Sequence, residues 1–155
     1  MLDPDVLQPS GAVLAANIAL GAVIDRDAVA GLSHDTTTLD LLVRLELAPG
    51  RSLRAVEICR QLRLSASHVS RSIDKAVDAG LVVRASDPTD RRAKIVTLTK
   101  AGRGVVDAFA PRLESVLRSV IFDTLDPGEI ETLVELLARV TRAAEERLDQ
   151  SESHR

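Results

Sequence analysis

The stretch LVVRASDPTDRRAKIVTLTKAGR, from Leu81 to Arg103, has the pattern of two short strands, a charged turn and the start of a helix. Its segments Leu81–Arg84 and Lys94–Leu98 are rich in β-branched residues, which is typical of strands. Between them, Asp87-Pro88-Thr89-Asp90 is a turn-former, because proline fixes its own φ and aspartate accepts hydrogen bonds from nearby backbone N–H groups. The stretch therefore predicts a β-hairpin.

Two adjacent arginines, Arg91 and Arg92, follow this turn and are expected at the exposed tip of the hairpin. Neighbouring guanidinium groups at such a tip suit insertion into a narrow, strongly negative groove of a polyanion. Directly upstream, residues 65–80 have the pattern of a helix, so that helix, hairpin and helix follow one another without a linker. This order is the plan of a winged helix-turn-helix and indicates DNA binding.

The helix that precedes the hairpin has one apolar and one polar side. Val69, Ile73, Ala76 and Val77 recur at helical spacing and are expected to face inward. The other faces carry Ser67, His68, Ser70, Arg71 and Lys75. Serines permit close approach to base edges in the major groove, and an arginine fork pairs with O6 and N7 of guanine. An ordinary amphipathic helix with a solvated face has the same pattern, and only the hairpin that follows favours the DNA-binding interpretation.

Charge is concentrated in the middle of the chain. The 155 residues carry a net charge of −3, but residues 51–103 hold twelve Lys or Arg against five acids, whereas residues 1–50 and 104–155 are each at −5. Phosphate binding depends on local positive potential and counterion release, so a basic centre in an acidic protein is a sufficient footprint for DNA. Chance clustering of cations on a solvated face is the alternative.

Composition restricts the class of protein. The chain has no Trp or Tyr and only two Phe, so the core must be aliphatic. A single cysteine, Cys59, excludes an intramolecular disulfide and fits a reducing compartment; we interpret it as a small core residue. The N-terminus lacks the cations of a secretory signal, and the apolar run Ala12–Ile24 is short for a membrane span, which favours the cytoplasm. His34, His68 and His154 have no metal-ligand spacing, and no cofactor is predicted.

Helices are expected on the N-terminal side of this region. An Ala-rich helix is predicted from about Val13 to Val29, interrupted by Gly21 and ending near Gly31. Residues 35–38 offer N-caps for a Leu-rich helix that Pro49-Gly50 stops. Residues 51–53 are short enough for a third strand beside the hairpin, and a short helix follows with Val56, Ile58, Cys59 and Leu62. Ser65 can cap the next helix.

The C-terminal part is expected to be helical as well, beginning at the cap Thr99. Asp126 to Glu129 has the pattern of a capping box with proline at the first helical position. The helix that follows has an apolar surface wider than one packing contact requires: Ile130, Leu133, Val134, Leu136, Leu137 and Val140. Long terminal helices with such faces are expected to pair with a second copy of the chain, although packing within a monomer is the alternative.

The segment from about Leu39 to Arg103 resembles the MarR family of transcriptional regulators. The residues that carry the resemblance are SHVSRSIDKAVDAGLVVR, from Ser67 to Arg84, and DPTDRRAKIVTLTKAGR, from Asp87 to Arg103. In the wing motif of this family an Asp and an Arg flank another residue, and Asp90 and Arg92 occupy those places here. The resemblance implies that Arg92 enters the minor groove, that Asp90 orients it through an ion pair, and that Arg71 and its neighbours face the major groove.

Other cations of the basic centre are expected to contact phosphates: Lys75, Arg84, Arg91 and Lys94. The predicted fold is mainly α with a small β-hairpin wing. It is a winged helix-turn-helix at residues 35–100, between N-terminal (1–34) and C-terminal (101–155) dimerisation helices.

The predicted function is sequence-specific regulation of transcription, with repression favoured. The partners are an inverted repeat in double-stranded DNA, about one helical turn between half-sites, and a second copy of the chain. A small lipophilic or anionic effector is a further hypothesis, to which His34 offers a cavity edge. A winged-helix module that binds a protein remains the alternative; no enzyme motif was found, and no membrane partner is expected.

Overall fold

The computed structural model describes residues 3–87, 89–90 and 93–152, and its chain divides into two compact units, Met1–Glu114 and Ser115–Arg155. Helices and strands follow in the order α1 (Pro4–Val23), α2 (Thr36–Leu47), β1 (Ser52–Arg54), α3 (Ala55–Leu62), α4 (Ala66–Asp78), β2 (Val82–Ser86), β3 (Lys94–Leu98), α5 (Lys100–Leu117) and α6 (Pro127–Glu152). The predicted fold class, mainly helical with a small wing, is confirmed.

The three strands form one antiparallel sheet in the order β1-β3-β2. Val82 pairs with Leu98 and Ser86 with Lys94 in the hairpin, while Leu53 of β1 pairs with Val96 on the other side of β3. The predicted hairpin and the third strand are therefore both confirmed. Strand β2 runs two residues further than expected, because the backbone pairs with β3 as far as Ser86.

The core of the first unit is aliphatic, as composition required. It combines the inner faces of α2, α3 and α4 with alternate residues of the sheet: Leu41, Leu42, Leu45, Leu53, Ile58, Val69, Ile73, Ala76, Leu81, Val82, Val96, Leu98 and Val106. In β3 the buried residues Val96 and Leu98 alternate with more exposed neighbours, which is the expected pattern for a sheet with one face on the core. Helix α4 and the hairpin are thus fixed on one hydrophobic core.

Short-range caps set the helix boundaries. Asp35 accepts a hydrogen bond from the Thr38 N–H at 2.8 Å, and Ser65 accepts one from the His68 N–H at 3.3 Å. Gly80, with φ of +69°, ends α4 in the left-handed conformation that glycine adopts without strain. The Thr99 hydroxyl accepts from the Gly102 N–H at 3.0 Å and donates to the Leu81 carbonyl at 2.9 Å. All four predicted boundaries are confirmed.

The N-terminal helix differs from its prediction. It begins at Pro4 rather than near Val13, because Asp3 caps it by accepting from the Asp5 N–H at 2.9 Å and Pro4 occupies the first helical position. Gly21 does not interrupt it, and a π-helical segment, Ile24–Val29, follows directly. Residues Leu7–Val29 are long and apolar enough to cross a membrane by length and composition. Length therefore does not argue against a membrane span, as the shorter run Ala12–Ile24 had suggested.

The second unit begins within α5 and consists mainly of α6. The predicted capping box is confirmed: the Glu129 N–H donates to Asp126 Oδ1, and the Asp126 N–H donates to Glu129 Oε2, each at 2.9 Å. The predicted apolar surface of α6 is exposed in the single chain, Val134 being 60% accessible to solvent. Leu136, Leu137 and Val140 are exposed with it.

Candidate nucleic-acid interface

Helix α4 is held against the core by one face only. Val69, Ile73 and Ala76 are buried as predicted, and Ser72 is buried with them, its hydroxyl donating to the His68 carbonyl at 3.2 Å. Val77 does not complete the stripe: it is 37% exposed, because the inward face at that turn is filled by Ala76 and Ile73. The rest of the helix is free to meet a partner.

The exposed side of α4 carries the five polar residues that the sequence singled out: Ser67, His68, Ser70, Arg71 and Lys75. The Arg71 side chain lies back along its own helix, with Nε donating to the Ser67 carbonyl at 3.3 Å. Because this bond is long and exposed, the guanidinium can leave it at little cost for a charged acceptor.

Three of these residues line a cavity of about 300 Å³ between α4 and the start of α2. His68, Arg71 and Lys75 meet Asp35 and Thr37 there. The Lys75 ammonium lies 3.3 Å from Asp35 Oδ2. The Thr38 N–H, the Thr38 hydroxyl and Lys75 hold the pKa of Asp35 below its ordinary value. The cavity therefore carries two formal positive charges against one negative charge, His68 being counted as neutral.

The predicted phosphate contacts of the hairpin also have partners within the protein. Arg84 on β2 lies 2.9 Å from Asp74 Oδ1 of α4, and Lys94 on β3 donates to the Ser86 hydroxyl at 2.9 Å. The Arg84–Asp74 contact is an ion pair between helix α4 and the wing.

The tip of the hairpin is described only in part. Asp90 is exposed, and its carbonyl accepts from the Ala93 N–H at 2.9 Å. Arg91 and Arg92, predicted to enter the groove, lie outside the described residues, as does Pro88 of the predicted turn. The proposed ion pair between Asp90 and Arg92 stays a prediction.

A charged cluster at the base of the hairpin was missed by sequence analysis. Asp87, only 4% exposed, accepts from Arg54 Nε at 2.7 Å and lies 2.6 Å from Arg54 Nη2. Its other oxygen accepts from the Thr89 hydroxyl at 2.6 Å and the Thr89 N–H at 2.8 Å. The two Thr89 donors, followed by Arg54, lower the pKa of Asp87 to about 2.

Half of this cluster was visible in the sequence. The spacing Asp-x-Thr is typical of an aspartate that caps its own turn, and the turn was predicted on that basis. The contribution of Arg54 was not visible, because it is 33 residues away from Asp87 in the chain.

Residues 33–93, which contain α2, the sheet up to the hairpin tip, and α4, match the model of the MarR family. The resemblance to the MarR family of transcriptional regulators is confirmed. The match covers the helix-turn-helix and most of the wing, whereas α1, α5 and α6 lie outside it.

Solved MarR family structures share the fold over most of this MarR family chain. Sco3205 from Streptomyces coelicolor, solved in complex with DNA, is 25% identical, with a TM-score of 0.83 over 92% of this chain and 89% of that one. AbsC from the same organism is 22% identical, with a TM-score of 0.84 over 94% and 97%. BpsR from Bordetella bronchiseptica is 23% identical, with a TM-score of 0.74 over 85% and 91%.

Two further candidate sites were considered in the sequence. Cys59 is partly buried and packs against the core, as its interpretation as a small core residue predicted. Within residues 3–87, 89–90 and 93–152, no group of three or more His, Cys, Asp or Glu side chains is arranged to hold a metal ion.

Proposed function

We propose that this MarR family regulator binds an inverted repeat in double-stranded DNA as a homodimer. Helix α4 lies in the major groove and the β2–β3 wing in the adjacent minor groove. The observation that carries the proposal is that the exposed polar face of α4 and the wing are fixed on one core and joined by the Arg84–Asp74 ion pair. Both elements can therefore meet one duplex as a rigid body.

Base recognition is assigned to the N-terminal half of α4. Ser67 and Ser70 are short enough to let the helix approach base edges, and Arg71 is the side chain with a fork that can pair with guanine. His68 lies beside Arg71 in the same cavity and offers either a donor or an acceptor to a neighbouring base or phosphate.

Phosphate contacts are assigned to Lys75, Arg84 and Lys94, with Arg91 added from the sequence. The carboxylates of Asp35 and Asp74 occupy two of these cations in the free protein. Exposed ion pairs contribute little stability, so exchange of a carboxylate for a phosphate is not opposed by a large energy. Arg92 is assigned to the minor groove, with Asp90 orienting it.

The dimer is proposed from apolar surface that the single chain leaves uncovered. Leu14 and Ile18 of α1 and Val134, Leu137 and Val140 of α6 are all exposed. A surface of this kind in a soluble protein marks a contact with another molecule. A second copy explains it and supplies the second α4 that an inverted repeat requires. On this account α1 is a dimer helix rather than a membrane span, and the protein is cytoplasmic.

A small lipophilic or anionic effector is proposed to release the DNA, as part of a repressor mechanism. A second cavity of about 300 Å³ lies between residues 31–34 and α5, where His34 offers a polar group beside Val105 and Ala108. In BpsR of Bordetella bronchiseptica, DNA binding is regulated by 6-hydroxynicotinic acid. Thermal-shift screening of small lipophilic anions, paired with a DNA-release assay, tests this part; anions that move neither signal contradict it.

The proposal as a whole is tested by selecting duplexes from a random pool with the purified full chain, at low and at physiological salt. We expect a short inverted repeat to survive at physiological salt. Binding that disappears with salt and shows no sequence preference contradicts specific recognition. A salt-insensitive protein partner without affinity for any duplex indicates a winged-helix protein-interaction module instead.

A further inference from the structure

Asp87 is the buried carboxylate at the base of the wing, and its contacts join parts of the chain that are far apart in sequence. Arg54 Nη2 also donates to the Thr89 hydroxyl at 3.2 Å, so that Arg54, Asp87 and Thr89 form one hydrogen-bonded cluster. Charge-assisted bonds of this kind are about twice as strong as neutral ones, and more so where water is excluded.

The cluster spans the sheet at the end nearest the tip. Arg54 pairs with Ile95 of β3 on one side, and Ala85 of β2 pairs with the same residue on the other. The Arg54 side chain therefore reaches across the start of the central strand to the residue that follows β2. Its backbone N–H donates to Glu57 at 2.8 Å, which ties this end of the cluster to α3.

The other end of the cluster lies in the tip loop, residues 87–93. The Asp87 N–H donates to the Ala93 carbonyl at 3.1 Å, which closes the loop just beyond the last strand pair. Without a fixed base, a loop of this length fluctuates, and ordering it on binding costs free energy.

We propose that Arg54 and Asp87 are positioning residues that hold the tip loop in the orientation required for insertion into the minor groove. They act through Thr89 and the loop backbone and need not touch DNA. This inference rests on the proposed DNA-binding function and adds two residues, from β1 and from the loop, to its machinery.

Removal of the Asp87 charge separates this role from simple electrostatics. Asp87→Asn takes one negative charge away from a DNA-binding surface, and electrostatics alone predicts tighter binding and a steeper salt dependence. Loss of the anchor predicts the opposite: weaker binding, because the loop must be ordered at the expense of binding energy.

The matched controls come from a second arginine–carboxylate pair of the same unit. Arg51 Nε lies 2.9 Å from Glu46 Oε2, and the Arg51 side chain is 45% exposed, the same as that of Arg54. Arg54→Gln is therefore compared with Arg51→Gln, and Asp87→Asn with Glu46→Gln. Circular dichroism and thermal melting confirm that each variant is folded at the temperature of the binding assay.

DNA affinity is measured by fluorescence anisotropy on a selected duplex, and groove contacts by hydroxyl-radical footprinting. We expect Asp87→Asn and Arg54→Gln each to weaken binding about three- to tenfold beyond their controls, and the double variant to be no weaker than the poorer single one. The minor-groove protection should fade while protection around the α4 site persists.

Two results overturn the inference in distinguishable ways. If the wild-type chain binds its duplex but Asp87→Asn binds as tightly or more tightly, with the minor-groove footprint intact, the anchor is wrong and the proposed function stands. If Asp87→Asn does not fold, Arg54→Gln with an unchanged footprint and an affinity equal to that of Arg51→Gln likewise shows that the anchor is wrong. If the wild-type chain protects no duplex, the proposed function fails and the inference fails with it.

Discussion

Arg71 is the residue on which sequence preference depends most directly. It lies on the exposed face of α4, held only by a 3.3 Å bond to the Ser67 carbonyl. Arg71→Ala should weaken operator binding by about 1–3 kcal/mol and relax the preference at one base pair of each half-site. Titration of a panel of single-substitution operators measures both effects.

The control for Arg71→Ala is Arg26→Ala, which removes the same charge from the π-helical segment outside the winged helix. That variant should retain the wild-type preference at every position of the operator. Unchanged affinity and preference in Arg71→Ala would mean that α4 is not the recognition helix.

Lys75 illustrates a residue that contributes affinity without sequence preference. Its ammonium group must leave Asp35, 3.3 Å away, to reach a phosphate. Lys75→Gln should weaken binding to all duplexes alike and reduce the slope of log K against log salt by about one unit. Affinity measured at four or more salt concentrations gives the slope, and a slope equal to that of the wild type rules out this contact.

Asp87 predicts a specific pH dependence of stability. Its pKa is lowered to about 2 in the folded chain, from an ordinary value near 4 in the unfolded chain. The unfolded state therefore binds more protons in this range, so the contribution of Asp87 is complete above about pH 4 and is lost as pH falls through about 2. Asp87→Asn should lose less stability than the wild type between pH 6 and pH 2.5, as measured by urea unfolding. Equal losses in both proteins would show that this carboxylate does not keep its charge through folding contacts.

At the scale of the elements, the junction between the hairpin and α5 is the most tightly constrained. A Cβ added to Gly102 would lie 2.2 Å from the Leu81 carbonyl oxygen, so the helix must shift away from the wing to accept it. Gly102→Ala should destabilise the first unit by about 1–3 kcal/mol, as overpacked sites do. Urea unfolding followed by circular dichroism measures the change.

Gly104, two residues further along α5, provides the control for Gly102→Ala. Nothing lies within 4 Å of an added Cβ there, so Gly104→Ala should be neutral or stabilise the chain by up to about 1 kcal/mol through helix propensity alone. A Gly102→Ala variant that is as stable as Gly104→Ala would contradict the close approach.

The elements that could be predicted from the sequence are those set by neighbours in the chain. The caps at Asp35, Ser65 and Asp126 act on backbone groups within three residues, and all were predicted correctly. The start of α1 was missed, although Asp3-Pro4 is a local signal of the same kind. Burial of Ser72 in place of Val77 was not predictable from apolar spacing, because it depends on where α4 rotates against its neighbours.

The candidate site divides along the same line. The polar face of α4 and the turn around Asp87 follow from local pattern, and both were predicted. The partners Asp35, Asp74 and Arg54 were missed, because each meets its cation or carboxylate only after distant segments fold together. The sequence therefore predicts which residues face the partner better than it predicts what orients them.

At the scale of the whole molecule, the apolar face of α6 determines oligomeric state. Leu137→Glu places a charge on a surface that we expect to be buried between two copies, and it should raise the dimer dissociation constant by at least tenfold. Size-exclusion chromatography with light scattering measures the mass over a dilution series. The exposed Thr132→Glu on the same helix is the control for charge alone, and a Leu137→Glu chain that remains a dimer would remove α6 from the interface.

The measurement that tests the central claim most directly is duplex selection with the purified full chain at physiological salt, combined with the mass of the complex that forms. We predict an inverted repeat with half-site centres about one helical turn apart, bound by two copies of the chain. Recovery of no sequence pattern, or of a single half-site bound by one copy, would contradict the account.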